Sequence, residues 1–215
     1  MHTGLILQVV RVVDNGSAGR RVVRSHGRCT VLTNAVAAIE IATPRTHMRE
    51  LRHEDVERLV ALANDPEVTR WVHWPLRERA ELEAFASSAI EARTRLPRVD
   101  YVLGADAKYD SAAIGFLRLH VMSVEHEQAE LSVYLLRSQW GAGFATECGA
   151  ALVSYAFSQL RLRRVFAYCD VDNLPSARVL EKIGFAREGT LRSRMKLGGT
   201  WRDSHLYAIV TQMTP

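Results

Sequence analysis

The sequence predicts an α/β (α+β) fold, a mixed central sheet of about seven strands flanked by about four helices. Two observations predict it. Along a chain of 215 residues, apolar residues recur at helical spacing, then at strand spacing, then at the two in alternation. The segments between these runs carry the turn formers Asn, Asp, Gly and Pro. The composition is that of a globular protein, with 47% hydrophobic and 24% charged residues, and a chain of this length buries a core without disulfide or metal staples.

Residues 1–38 read as a basic leader or an extra hairpin. LILQVVRVV, then Asp14-Asn15-Gly16, then RRVVR has hairpin form, because Asn-Gly suits a tight turn. The same segment holds five arginines against one aspartate, a surplus equal to the whole chain's net charge of +4. The domain itself is placed at 39–215. Its first strand is 44–52. A helix follows over 53–63, with Glu54 and Asp55 early, where the helix dipole favours acids, and Val56, Leu59, Val60 and Ala63 as its stripe. Asn64-Asp65-Pro66 ends it. Trp71, Val72, Trp74 and Pro75 form an aromatic connection to a second helix over 79–94, with Leu82, Phe85, Ala86, Ala89 and Ile90 on one face.

From Tyr101 the period changes. Strands are expected over 101–105, 113–120 and 129–136, the last richest in apolar residues and therefore central. A long helix over 144–160, a strand over 164–169 and a short helix over 175–183 follow, with Pro175 suited to a first helical turn. Two last strands, 186–197 and 200–210, meet at Gly198-Gly199.

Large functional classes fall on composition. No run approaches about 18 apolar residues, so no spanning helix is expected. The first residues lack a basic start and a small-residue cleavage site. The three cysteines, Cys29, Cys148 and Cys169, form no CxxC pair, which points to a reducing cytoplasm and away from zinc or disulfide chemistry. There is no HExxH, no GxSxG, no EF-hand loop and no GxxxxGK[ST], so no metal is expected. Outside the leader the chain is neutral by formal charge, which argues against nucleic acid binding by the main domain despite a pI near 9.2.

The informative stretch is LLRSQWGAGFATE, from Leu135 to Glu147. A buried strand leads into Gly141-Ala142-Gly143 and a helix starts at once. Small residues there let a ligand approach the backbone, and the free N–H groups of a first helical turn favour anions, phosphate above all. Thr146 stands where a dinucleotide fingerprint needs Gly or Ala. A glycine-containing turn before a helix is the alternative reading.

A second stretch, NLPSARVLEKIGF from Asn173 to Phe185, joins the first about 30 residues later. Together, WGAGFATE and N-x-x-S-x-x-x-x-E-K-x-G-F resemble the GNAT superfamily of acetyltransferases. The segment from Glu188-Gly189 through GTWRD to Tyr207, with the opening TPRTHMRELRHEDVERL and NDPEVTRWVHWP, resembles its RimJ/RimL branch, which acetylates N-terminal amines of ribosomal proteins. The likeness covers about residues 39 to 212. It implies a GNAT fold whose sheet is split between the fourth and fifth strands to hold acetyl-CoA. The pantetheine arm would pair with the backbone of Tyr134, Leu135 and Leu136 like an added strand. The pyrophosphate would lie on amides of Ser138, Gly141, Ala142, Gly143, Phe144 and Ala145. Asn173 would hold the arm near the thioester. The family's loop usually begins with Gln or Arg; here Ser138 stands there, between Arg137 and Gln139.

Acetyl transfer needs a neutral amine and a proton for the departing thiolate. Many family members use a tyrosine one residue before the Glu-Lys pair as the acid; here that position is Leu180. Ser176 matches the serine that resembles the RimL-type acid, and equally suits a first helical turn. Glu130, on the central strand, is the candidate base, or else a surface glutamate. Met195 stands where the RimL type places a glutamate, and Asp203 is a further carboxylate. A peptide α-amine, with a pKa of about 7.7 to 8.0, is roughly a tenth neutral at pH 7, whereas a lysine is under about 0.1% neutral. A site without a strong base therefore favours an α-amine. The expected acceptor is a protein or peptide N-terminus; a small amine (antibiotic, polyamine or toxin) and a non-catalytic acetyl-CoA-binding module are the alternatives. Trp71 and Trp74 belong to the core or to the acceptor wall, Cys148 and Cys169 to packing. Dimers are frequent in this fold, so a homodimer is among the expectations.

Overall fold

The structure is a computed structural model that describes residues 38–71, 78–109 and 111–211, together with the backbone of 10–13, 23–25 and 28–30. In chain order the elements are β1 (Val10–Val13), β2 (Val23–Ser25), β3 (Arg28–Thr30), β4 (Ala38–Ala42), β5 (Thr46–Glu50), α1 (Val56–Asn64), α2 (Pro66–Thr69), α3 (Arg79–Ala92), β6 (Asp100–Ala107), β7 (Ala113–Ser123), β8 (Gln128–Leu135), α4 (Phe144–Ser158), β9 (Arg164–Asp170), α5 (Leu174–Ile183), β10 (Ala186–Leu197) and β11 (Thr200–Val210). Among the described residues, nine strands form one sheet in the order β1-β4-β5-β6-β7-β8-β9-β11-β10, and β2 pairs with β3 apart from it.

The sheet is larger than the seven strands expected. The strand read over 44–52 is β5, and a further strand, β4, precedes it across a turn at Thr43–Arg45, where Thr43 and Thr46 bond to each other. The Ile39-Glu40-Ile41 alternation was its signal: both isoleucines are buried while Glu40 is half-buried. β1 pairs antiparallel with β4, Val10 opposite Ile41. The Asn15-Gly16 turn lies outside the described residues, as do Val72, Trp74 and Pro75. A short helix, α2, also appears after Asp65, whose side chain caps it by accepting from Glu67 N–H at 2.9 Å.

Helices cover both faces. α4 and α5 pack over Leu117, Leu119, Leu131, Val165 and Ala167. α1 and α3 pack over Val102 and Phe116 through Leu59, Leu62, Leu82 and Ala86. Under α1, a buried charge cluster fastens the helix to the sheet. Arg58 donates to the carbonyls of Ala105 at 3.0 Å and Gly115 at 2.8 Å, and pairs with Asp55 and Asp106. Burial alone would raise the Asp55 carboxyl; bonds from Arg49 and the Arg52 amide, with the charge of Arg58, overcome it and hold the group below its ordinary value. Among the described residues no helix is long and apolar enough to cross a membrane.

All pairings in the large sheet are antiparallel except one. β8 and β9 run parallel and pair through Gln128, Ala129 and Glu130 against Arg164, Val165 and Phe166. β9 pairs with β11 along its whole length, from Arg164 to Asp170. Past Glu130 the two central strands part, between the fourth and fifth of the strands read from the sequence.

β7 and β8 approach closely where the slot opens. A Cβ added at Gly115 would collide with the Tyr134 carbonyl oxygen and meet Leu135 Cα at 2.9 Å. Gly115→Ala is therefore expected to lower stability by about 2 kcal/mol, read as a lower midpoint in a urea melt with an unchanged slope.

Candidate active site

The slot between β8 and β9 is lined by backbone on one side. Glu127 carbonyl accepts from Arg163 and Arg164 N–H, on the β9 side, while Leu136 N–H donates to the Ile114 carbonyl at 2.9 Å, on the β7 side. Backbone groups alternate in direction along a strand. Val133 and Leu135 thus turn their N–H and C=O toward the gap, while Tyr134 turns its own to β7; Leu136 gives only its N–H to β7, its carbonyl accepting from Gln139 N–H at 2.9 Å. Of the three residues expected to pair with a ligand, Leu135 faces the slot; Val133 does too, and the sequence reading left it out. The Tyr134 ring stacks on Phe116 at 4.6 Å, and Leu136 packs into the same core. The Leu135 carbonyl accepts from Trp140 Nε1 at 3.0 Å.

At the head of the slot the chain turns into α4. Arg137–Gln139 form a 3-10 turn containing Ser138. Gly141 (φ 77°) and Gly143 (φ 83°) are left-handed, a conformation other residues adopt at a cost. A Cβ on Gly141 would have nothing within 4 Å, so this backbone is open to a ligand. Gly143 is the N-cap of α4, and no described side chain caps the helix. The first-turn amides of Phe144, Ala145 and Thr146 therefore form an anion-favouring end.

A cation stands beside it that the sequence reading missed. Arg45, from the β4–β5 turn, donates to the Ala142 carbonyl at 2.9 Å and to Glu147 Oε2 at 2.6 Å, and lies 4.8 Å over the Phe144 ring. Nothing local in the sequence announces a contact between residues so far apart. Glu147 also accepts from the Thr43 hydroxyl and from Arg45 N–H at 2.9 Å. Burial would raise this carboxyl, but those three bonds and the Arg45 charge hold it below its ordinary value. Cys148 is a packed thiol, pushed up to about 11 by burial.

Across the slot, α5 begins where β9 ends. Asn173 Oδ1 accepts from Ser176 N–H at 3.2 Å and caps the helix. Burial pushes the Cys169 thiol up, with Ser176 a hydrogen-bond partner acting the other way. Cys169 belongs to the core on the α4 face, so Ser176 lies on that side of the slot. Asp170 is buried and takes Arg202 through Nε at 2.9 Å and Nη2 at 2.7 Å. Asp203 accepts from Ser193 N–H at 2.8 Å, a bond that shapes the bulge between β10 and β11. Met195 pairs with Arg202 in that ribbon.

Glu130 points to the opposite face. Its neighbours Ala129 and Leu131 belong to the α4-side core, and strand side chains alternate. Cross-strand partners put His120 beside Glu130 and Asp100 beside His120, with Arg118 bonded to Asp100. Tyr168 shares this face, under the Arg194 guanidinium at 3.4 Å. The structure thus brings Asn173 and Ser176 together, sets Gly141 to Ala145 at the slot's head, and places Glu130 across the sheet from Ser176. Trp71 is half-buried beneath Arg70. Among the described residues no three His, Cys, Asp or Glu side chains converge as metal ligands do.

Because Glu147 is depressed in the folded state, its stabilisation is present above the ordinary carboxyl pKa and fades as pH falls through the folded value. The stability gap between wild type and Glu147→Gln is expected to be open at pH 6 and to narrow toward pH 3, read by urea melts across that range.

Comparison with known proteins identifies the family and the fold. Residues 45–186 match the model of the acetyltransferase (GNAT) domain. The uncharacterized N-acetyltransferase YoaA of Bacillus subtilis is 32% identical over 175 residues, covering 79% of this chain and 96% of YoaA. Two solved structures share the fold. Mycobacterium smegmatis RimJ in complex with CoA-disulfide has a TM-score of 0.69 at 22% identity, over 83% of this chain and 84% of that one. Spermidine N-acetyltransferase from Vibrio cholerae, in complex with CoA and spermine, has a TM-score of 0.70 at 21% identity, over 78% of this chain and 96% of that one. The chain belongs to the GNAT family of N-acetyltransferases, which use acetyl-CoA.

Proposed function

We propose that this chain acetylates the N-terminal α-amine of a protein or peptide, with the catalytic body at 39–215. The observation that carries the reading is the open backbone edge of β8 ending at an uncapped helix N-terminus. Those are the two features an extended amide-bearing arm joined to a diphosphate requires. When bound, acetyl-CoA supplies a thioester whose acetyl carbon is open to attack by an amine.

The chain's own groups divide the remaining work. Val133 and Leu135 offer backbone partners at the slot, while Tyr134 and Leu136 hold β8 against β7. Ser138, Gly141, Ala142 and Gly143 form the loop over the phosphate seat, with the Phe144 and Ala145 amides beneath and Arg45 supplying positive charge. Asn173, its oxygen spent on the cap, keeps its Nδ2 donor. Ser176 holds a proton at Oγ on the helix face of the slot. Glu130, on the acceptor face, accepts the proton that the nitrogen loses after attack.

The acceptor face supports an α-amine over a polycation. Asp100 is engaged by Arg118, Asp170 by Arg202, and Arg194 adds positive charge. A polyamine site needs carboxylates released to meet several ammonium groups.

Thiol release from acetyl-CoA is followed with peptides of varied N-termini, polyamines and aminoglycosides in parallel, and mass spectrometry locates the acetyl group. Turnover on peptide α-amines is expected, with Glu130→Gln and Ser176→Ala each lowering kcat/KM about 100-fold. Turnover confined to polyamines or aminoglycosides would move the acceptor to a small amine. Binding of acetyl-CoA without turnover on any set would contradict the enzymatic reading.

A further inference from the structure

Three strands of the acceptor face line up polar side chains in one cross-strand row. Asp100 on β6 lies opposite His120 on β7, and His120 opposite Glu130 on β8. His120 Nδ1 is 2.9 Å from Asp100 Oδ1, and the same oxygen takes Arg118 Nε at 2.7 Å. An ionised carboxylate can only accept. The Asp100 carboxyl is held below its ordinary value: burial alone would raise it, and the bonds from Arg118 and His120 outweigh burial. Nδ1 therefore donates toward Asp100, with Arg118 Nη2 3.4 Å from the same ring nitrogen, and Nε2 is the nitrogen turned away from the carboxylate. The side chains of Arg118, His120 and Asp100 are 39%, 32% and 25% exposed, so the group is reachable from solvent yet packed enough to hold its orientation. The charged groups around the imidazole are Asp100 from β6, Arg118 from its own strand and Glu130 from β8.

We propose that His120, oriented by Asp100, accepts the proton that an incoming ammonium group must lose before it attacks. The N–H bond of the ammonium breaks and its electron pair stays on nitrogen. A bond from Nε2 to hydrogen forms, and the imidazolium, next to the Asp100 carboxylate, then releases the proton to water. Asp100 and Arg118 are positioning residues. The inference rests on the acetyl-transfer reading above and adds a base to it. Magnitudes favour an imidazole in the role. In model peptides a carboxyl titrates near 4.3, an imidazole near 6.5 and an α-amine near 7.7 to 8.0, so the uphill proton transfer spans about 3.5 units to a carboxylate and about 1.3 to an imidazole. A base whose pKa lies near the working pH is the more effective one.

The test is kcat/KM against pH, from 5.5 to 9, for the full chain with acetyl-CoA and a peptide α-amine. The variants are His120→Ala, His120→Asn and Asp100→Asn, with CoA affinity measured by calorimetry for each. His120→Asn keeps a donor to Asp100 and removes the acceptor, so it separates a folding defect from a lost base. The expected result is a loss of up to about 10-fold at pH 7 for both His120 variants, the reciprocal of the neutral amine fraction, with CoA affinity unchanged. The deficit shrinks toward pH 9, where the amine is already neutral, and added imidazole partly restores His120→Ala. Activity of His120→Asn within twofold of wild type at pH 7, or an equal loss at every pH without imidazole rescue, would overturn the proposal alone. A wild-type chain that binds CoA and acetylates no amine would overturn the underlying reading with it.

Discussion

The parting of β8 from β9 is the constraint on which the site depends. Three residue pairs hold the two strands together, and past Glu130 and Phe166 they separate. A strand edge in mid-sheet leaves backbone groups without ladder partners. Both strands keep full pairing on their far sides, β8 with β7 and β9 with β11, and their open edges face each other across the gap, on β8 at Val133 and Leu135. Because α4 follows β8 and α5 follows β9, both helices begin beside the gap. One departure in the sheet therefore yields a strand edge, a helix terminus and a passage between two faces.

Charged side chains keep the gap in shape. Glu147 ties the first turn of α4 to the β4–β5 turn through Thr43 and Arg45. Asp170, buried at the end of β9, is held by Arg202 from β11. A buried carboxylate without a partner is costly, so each pair sets the position of one wall. The faces separate the candidate groups: Ser176 and Asn173 sit with the helices, Glu130 and His120 on the opposite side. In the proposed reading, an acid for the leaving group and a base for the amine then avoid neutralising one another directly.

Local pattern made much of this legible. The period change near Tyr101, the Gly141-Ala142-Gly143 turn and the Asn173 cap with Ser176 three residues on are short-range signals, and they appear where the sequence places them. Register is not a short-range signal. Arg45 meets Glu147 because β5 lies beside α4 in space, and Asp100 meets His120 because two strands align across a loop. Neither contact can be read from spacing. β4 was missed for another reason: its Ile-Glu-Ile alternation was short and abutted the leader. The Tyr134 backbone was expected at the slot, but strand alternation, fixed by the Leu136 bond to Ile114, turns it toward β7 and Val133 toward the gap.

The proposed site seats the cofactor along the open edge of β8 with its phosphates at the start of α4. Site-resolved amide hydrogen exchange by NMR, with and without saturating CoA, tests it most directly. Slowed exchange is expected at the amides of Val133 and Leu135 and at those of Phe144, Ala145 and Thr146, with Tyr134 little changed because its N–H faces β7. Protection confined to other strands, or equal at Tyr134 and its neighbours, would contradict it.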